Sequence, residues 1–211
     1  AVRAGRCDLC DKHFRILGPT AIQSVLKHPE RFVVAHFWNP AHLMPLVEVV
    51  PGKDTAPEVV DTTFDLMASI GKKPAKIKKE SLGFVGNRMQ LALLREAFNI
   101  INEGIADAET VDTVVRYSLG RRWNLVGPVA SADLGGLDTF YNISTYLFKD
   151  MDNGTEPSPL LAWKVQDGNL GTKTGRGFYE WQGEDGQRII RERDEQLMQQ
   201  LAEDAAVEDA D

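Results

Sequence analysis

A histidine and a glutamate on two neighbouring apolar segments have the chemistry of a general base and its partner. Residues 32–35 are apolar and largely β-branched, which is typical of a short buried strand, and His36 follows at its end. After a break at Asn39-Pro40, the apolar run at residues 46–50 predicts a second strand, which carries Glu48. A carboxylate beside an imidazole can tune that ring as a base. On spacing alone, a structural histidine and a solvent-facing glutamate are the more common outcome.

A small α/β segment positions these two residues. Residues 15–18 predict a short strand, and residues 19–27 predict a brief helix with Pro19 in its first position. With the two strands above, residues 15–52 form a strand–helix–strand–strand unit, whose parallel, crossover-linked sheet would be incomplete on its own. The five lysines within residues 72–79 suit a solvated surface strand, which we favour, or a phosphate site.

From residue 53 onward the pattern is mainly helical. A Thr-x-x-Glu capping box at residues 55–58 predicts a helix start, and the longest helix is expected over residues 83–103. Asn87 falls in the first turn of that helix, near free amide donors and the positive end of the dipole. It could hold an oxygen of a bound acyl group or simply lie at the surface. Further helices are expected to begin at Asp107, Pro128 and Pro159, before a glycine-rich loop at residues 169–181 and a charged segment from Arg188.

Charge, apolar runs and cysteine usage narrow the possible classes of function. The 211 residues carry a net charge of -7, which argues against a nucleic-acid partner. No apolar run approaches the ~20 residues of a membrane helix, and the first residues lack the apolar region of a signal peptide. Cys7 and Cys10, followed by His13, are too few for a closed zinc site, so we expect thiols in a reducing cytoplasm, with metal binding as the alternative.

Several catalytic fingerprints do not occur in the sequence. It contains no Gly-x-Gly-x-x-Gly, the dinucleotide-binding pattern that places a pyrophosphate at a helix N-terminus. It also contains no Gly-x-Ser-x-Gly, no P-loop and no His-Glu-x-x-His. Hydrolase, kinase and metalloprotease functions therefore have no support.

Four ordered blocks resemble the L-3-hydroxyacyl-CoA dehydrogenase family. They are HFWNPAHLMPLVEVVPG, GFVGNRMQLALLREAFNIINEG, GPVASADLGGLDT and LGTKTGRGFYEW. The resemblance implies a mainly α chain: the helical C-terminal dimerisation domain of a two-domain dehydrogenase, preceded by a residual α/β Rossmann-like piece. We expect a remnant of the nucleotide-binding domain at residues 1–52, a helical substrate and dimerisation domain at 53–186, and a charged tail at 187–211. A homodimer follows from the same resemblance.

The resemblance also implies roles for single residues. His36 matches the catalytic base, Glu48 its partner and Asn87 the substrate-orienting asparagine, while Asn39 lies near the nicotinamide of NAD and the substrate. The implied reaction is the NAD-dependent oxidation of L-3-hydroxyacyl-CoA to 3-ketoacyl-CoA, or its reverse, in fatty acid metabolism. Two alternatives stay open: a dehydrogenase of free hydroxy acids of the gulonate or carnitine type, towards which HPERFVVAH leans, and a non-catalytic dimerisation module.

Two features depart from the family pattern. Only about 35 residues precede the His36 block, where the family has nearly a full nucleotide domain. We therefore expect part of a longer enzyme, or else a truncated relative, and weak NAD binding by the chain alone. The family's catalytic serine lies in a Ser/Thr-rich turn, but here Gly18 runs directly into Pro19, and neither Thr20 nor Ser24 matches that serine.

Overall fold

A computed structural model of the chain describes residues 18–208. These residues form two compact units, one from residues 18–89 and 188–208 and the other from Gln90–Gln187. The elements in chain order are α1 (Pro19–Gln23), β1 (Val33–Phe37), β2 (Leu46–Pro51), α2 (Pro57–Ser69), β3 (Lys73–Lys76), α3 (Gly86–Asn102), α4 (Ala108–Val114), α5 (Gly120–Gly135), α6 (Leu137–Leu147), α7 (Pro159–Gln166) and α8 (Glu184–Glu208). The expectations for Cys7, Cys10 and His13, and for a strand before Gly18, lie outside the described residues.

The first unit is built on a three-stranded sheet in the order β1-β2-β3. β1 pairs with β2 in antiparallel register, so the predicted parallel sheet is wrong for this pair. β3 pairs with β2 in parallel after the crossover through α2. The central strand is the most apolar, and Val47, Val49 and Val50 on it have no exposed surface. This sheet confirms the α/β piece that was predicted ahead of the helical region, and β3 is the strand expected among the lysines.

The turn that leads into α2 differs from the prediction. The residue that caps this helix is Ala56, and no side chain caps it, so the predicted capping box is wrong. The Thr55 hydroxyl instead donates to the Phe32 carbonyl at 2.7 Å and accepts from Gln23 Nε2 and the Gly52 amide, both at 2.8 Å. Gln23 is only 1% exposed. Because a buried carboxamide needs hydrogen-bond partners, the Thr55 hydroxyl binds Gln23 in the core of this unit and does not cap the helix.

The second unit is helical, as expected. Asp107 caps α4 and accepts from the Thr110 amide at 2.8 Å, in agreement with the predicted helix start. Gly127 has a φ of 71° and breaks α5, so that a new helical segment begins at Pro128, also as predicted. The segment ends at Gly135, because Gly136 has a φ of 89° and separates α5 from α6. Only glycine adopts such angles readily.

Helices account for most of the described residues, which confirms the mainly α class. None of the described helices combines the length and apolar character needed to cross a bilayer. The predicted boundaries at residues 52–53 and 186–187 stay a prediction about domains, whereas the compact units meet at residues 89–90 and 187–188.

Candidate active site

The register of β1 and β2 brings His36 and Glu48 together. The two residues are direct partners in the antiparallel ladder, an arrangement that places the Cβ atoms of such partners about 5 Å apart on one face. His36 Nδ1 lies 2.9 Å from Glu48 Oε2. The sequence predicted that His36 follows the strand, but His36 belongs to β1 itself. The cross-strand position is the reason why the imidazole and the carboxylate meet.

Glu48 is 2% exposed, and both of its carboxylate oxygens accept hydrogen bonds. Oε1 accepts from the amides of Val85 and Gly86, each at 3.0 Å. Oε2 faces His36 and also accepts from Trp38 Nε1 at 3.4 Å. Burial raises the pKa of the Glu48 carboxyl, but the hydrogen bonds from Gly86, His36, Val85 and Trp38 together outweigh burial and hold this pKa below its usual range. Glu48 is therefore an anion at neutral pH.

The beginning of α3 supplies two of these hydrogen-bond donors. The first amides of a helix lack partners within the helix, and the helix dipole favours a negative charge there. Glu48 reaches them from β2, 37 and 38 residues away along the chain. The helix begins at Gly86, three residues later than predicted, after a turn in which Gly83 and Phe84 have φ values of 74° and 47°. The turn lets the amides at the start of the helix face the carboxylate.

The imidazole of His36 packs near two aromatic rings and keeps 32% of its side-chain surface exposed. Its centroid is 6.0 Å from that of Trp38 and 5.4 Å from that of Phe84, both in edge-to-face geometry. Because the Glu48 anion accepts the proton on Nδ1, the neutral ring carries its lone pair on Nε2. No described residue hydrogen-bonds Nε2. This nitrogen is therefore free to take a proton from a bound hydroxyl.

Of the two predicted asparagines, Asn39 lies between His36 and Glu48 in the sequence and Asn87 follows both. Asn87 is the second residue of α3 and follows Gly86, whose amide holds Glu48. It is half-buried, and within residues 18–208 no side chain or backbone group hydrogen-bonds its carboxamide. Asn39 is exposed in the loop after β1. The roles of Asn87 towards the substrate and of Asn39 towards the cofactor stay predictions.

Sequence reasoning missed Trp38 and the amides at the start of α3. Trp38 follows His36 by two residues, a spacing that puts side chains on the same face of an extended segment. That spacing was the available signal. A Cβ on Gly86 would overlap Cζ2 of Trp38 and lie 2.9 Å from Cη2, so the indole requires glycine here. The glycine directly before Asn87 was the corresponding signal in the helix.

The turn from β2 into α2 does not fit the phosphates of a dinucleotide. It is the strand-to-helix turn of the parallel crossover in the described part of the chain. A Cβ on Gly52 would overlap Oε1 of Gln23, so the protein itself fills the space beside this glycine. Its amides all donate within the protein: Gly52 to Thr55 at 2.8 Å, Lys53 to Thr20 at 2.9 Å and Asp54 to Gln23 at 3.2 Å.

Two family models match the sequence in series. Residues 16–81 match the 3-hydroxyacyl-CoA dehydrogenase NAD binding domain, and residues 83–181 match the 3-hydroxyacyl-CoA dehydrogenase C-terminal domain. The chain belongs to the 3-hydroxyacyl-CoA dehydrogenase family. The predicted resemblance is thus confirmed, and NAD is confirmed as the cofactor at the level of the family. The two matches meet just ahead of α3, so Glu48 lies in one matched segment and the amides that hold it lie in the other.

Three curated relatives illustrate the range of this family. A 5-formyl-3-hydroxy-2-methylpyridine 4-carboxylate 5-dehydrogenase from Mesorhizobium japonicum is 37% identical over 179 residues, covering 85% of this chain and 58% of the relative. An L-carnitine dehydrogenase from Oceanobacillus iheyensis is 45% identical over 118 residues, 56% of this chain and 38% of the relative. A 3-hydroxybutyryl-CoA dehydrogenase from Clostridioides difficile is 37% identical over 166 residues, 78% of this chain and 58% of the relative. The chain thus spans less than two thirds of each.

Solved structures give the same family with different degrees of likeness. The crystal structure of a 5-formyl-3-hydroxy-2-methylpyridine 4-carboxylic acid 5-dehydrogenase, described as an NAD⁺-dependent dismutase, matches with a TM-score of 0.84 and 35% identity. This match covers 91% of the chain and 61% of that structure. A 3-hydroxyacyl-CoA dehydrogenase from Archaeoglobus fulgidus matches with a TM-score of 0.58 and 35% identity, over 88% of the chain and 64% of that structure.

Proposed function

We propose that this chain carries the proton-transfer site of an NAD-dependent dehydrogenase, which oxidises a substrate hydroxyl to a carbonyl or catalyses the reverse reduction. The observation that supports this most is the 2.9 Å contact between His36 Nδ1 and the buried Glu48 carboxylate, on a ring whose other nitrogen is hydrogen-bonded by none of residues 18–208. A merely structural histidine in this position would not need an anion that accepts from three further donors, Trp38 Nε1 and the amides of Val85 and Gly86.

In the oxidation, Nε2 of His36 accepts the hydroxyl proton while the hydride leaves the same carbon. Glu48 keeps the Nδ1 proton in place and stabilises the imidazolium that forms, the role of the acid in other catalytic triads. NAD, when bound, supplies the hydride chemistry. In the reduction, the imidazolium returns its proton to the developing alkoxide. Asn87 would hold a substrate oxygen beside the ring, and Asn39 would border the nicotinamide.

The first candidate substrate is an L-3-hydroxyacyl-CoA, as in fatty acid metabolism. The two family models and the 3-hydroxybutyryl-CoA dehydrogenase relative support it. A small free acid is the second candidate. The higher TM-score, 0.84 against 0.58, belongs to a dehydrogenase of a pyridine carboxylic acid, and the L-carnitine dehydrogenase shares the highest identity of the three relatives above. A non-catalytic dimerisation module is the remaining alternative.

A reduction assay with NADH separates these candidates. Acetoacetyl-CoA and a set of short free keto acids are supplied in parallel to the natural protein that contains this chain, and NADH consumption is followed. We expect one class to be reduced at least tenfold faster than the other. Failure of both classes, together with no measurable NADH binding, would favour the non-catalytic module.

Replacement of the base tests the mechanism. His36→Ala should lower kcat by about 10²- to 10⁴-fold, the usual contribution of general acid–base catalysis. His28→Ala is the matched control, because the His28 side chain is exposed and pairs with Glu30 at the surface. Circular dichroism should show that both variants fold. Near-normal turnover in His36→Ala would remove this histidine as the base.

The predicted homodimer is also a proposal. Its support is the apolar surface of α6, on which Leu137, Phe140 and Tyr141 are exposed to 61%, 45% and 69%. We expect Phe140→Glu to shift the protein from dimer to monomer in sedimentation experiments, whereas Val25→Glu, at a residue 82% exposed in the first unit, should not. A wild-type monomer at all concentrations would contradict the proposal. The cytoplasmic location stays a prediction.

A further inference from the structure

The indole of Trp38 contacts one oxygen of the Glu48 carboxylate and also the glycine whose amide binds the other oxygen. Its Nε1–H donates to Oε2, the oxygen that also faces His36. Its six-membered ring lies against Gly86, the residue whose amide donates to the other oxygen, Oε1. The Trp38 side chain therefore contacts one carboxylate oxygen directly and packs against the residue that donates to the other oxygen.

We propose that Trp38 is a positioning residue, which acts on His36 through Glu48 by fixing both carboxylate oxygens. The direct hydrogen bond is long at 3.4 Å, so its own contribution is modest. The packing against Gly86 adds the second constraint, because the first turn of α3 cannot approach closer without overlapping the ring. The mechanistic meaning of this assignment rests on the proposed function, in which Glu48 orients the base.

Two variants separate the two contacts. Trp38→Phe keeps an aromatic ring near Gly86 but removes the N–H donor. Trp38→Ala removes both the donor and the ring. Trp163→Phe is the control, because Trp163 is 55% exposed in the second unit and is not part of this site.

Nuclear magnetic resonance of the full 211-residue chain reads out each contact without any need for turnover. In Trp38→Phe, the carboxyl carbon of Glu48 should titrate at a higher pH than in the unsubstituted chain, because a hydrogen bond to the anion has been lost. In Trp38→Ala, the amide of Gly86 should exchange its hydrogen roughly fivefold to tenfold faster, because the packing that holds it on Oε1 has gone. Trp163→Phe should change neither.

An unchanged Glu48 titration in Trp38→Phe, or an unchanged Gly86 exchange rate in Trp38→Ala, would overturn the inference. A side chain that served only for general stability would lower the melting temperature of both variants without moving the Glu48 titration of Trp38→Phe. The outcome is independent of the test of the base. Loss of turnover in His36→Ala tests the proposed function, whereas these two measurements test what Trp38 does to the carboxylate.

Discussion

Replacing Glu48 by glutamine removes one charge and one acceptor atom from the centre of the site. The glutamine oxygen can keep the two amides of α3, while its NH₂ group then faces His36. Nδ1 of His36 can accept from that NH₂ only if the ring moves its proton to Nε2. Glu48→Gln is therefore expected to fold with the wrong tautomer of His36, and a protonated Nε2 cannot accept the substrate proton. We expect turnover to fall by about 10⁴-fold, as exchange of a triad acid for its amide does elsewhere.

The cost to stability follows from the same contacts. Two amide hydrogen bonds of 3.0 Å lose their charge assistance, at about 1 kcal/mol each, and a charge at the start of a helix is lost as well. A loss of about 2 kcal/mol in the free energy of unfolding corresponds to roughly 4–8 °C in melting temperature for a chain of this size. Glu80→Gln is the control, because from the described residues Glu80 accepts one hydrogen bond, from the Thr20 amide at 2.7 Å, which glutamine can also accept. It should cost less than about 1 kcal/mol.

The stability difference depends on pH in a defined direction. The folded state holds the pKa of Glu48 below its usual range, so the carboxylate contributes its full stability above that range. The contribution is lost as the pH falls through the lower, folded-state value. Urea unfolding of the wild type and Glu48→Gln should therefore give curves that converge in acid. Equal stability of Glu48→Gln and Glu80→Gln at neutral pH, with normal turnover in both, would refute this reasoning.

Two further changes test the packing around the site. Gly86→Ala should lower the free energy of unfolding by about 1–3 kcal/mol, because the new Cβ overlaps the indole of Trp38. The control Gly18→Ala should change it little, because its Cβ would lie 3.6 Å from the nearest described atom, and equal melting temperatures of the two variants would contradict the expected overlap. Gln23→Ala should lower the free energy of unfolding by about 2–4 kcal/mol, because it removes a carboxamide that is 1% exposed and both donates and accepts hydrogen bonds. The control Gln199→Ala, on the exposed surface of α8, should change this free energy by less than about 0.5 kcal/mol. A small effect of Gln23→Ala in urea unfolding would show that the turn before α2 is stable without this side chain.

The strands and the pair on them were predictable because they rest on local patterns. The apolar runs on both sides of Asn39-Pro40 predicted β1 and β2, whereas their antiparallel pairing and register came only from the structure. His36 and Glu48 could thus be proposed as neighbours. The start of α4 at Asp107 and the helical segment from Pro128 were predictable for the same reason, since capping and proline effects act within a few residues.

The interactions that hold the pair were not predictable, because they join residues that are distant in the sequence. Nothing near Glu48 indicates that its second oxygen meets amides 37 and 38 residues later. The Thr55 hydroxyl illustrates the same limit. Its local pattern favours a capping box, but the buried Gln23, 32 residues earlier, engages it instead. A tertiary contact of this kind overrides the local preference of a side chain.

The tautomer of His36 is the most direct test of the central claim that Glu48 prepares this ring as a base. The ¹⁵N chemical shifts of the imidazole, measured on the 211-residue chain at neutral pH, distinguish a protonated from a bare ring nitrogen. We predict that Nδ1, which lies 2.9 Å from Glu48 Oε2, carries the proton and that Nε2 is unprotonated. A neutral ring with its proton on Nε2 would contradict the account, because that nitrogen could not accept the proton of a substrate.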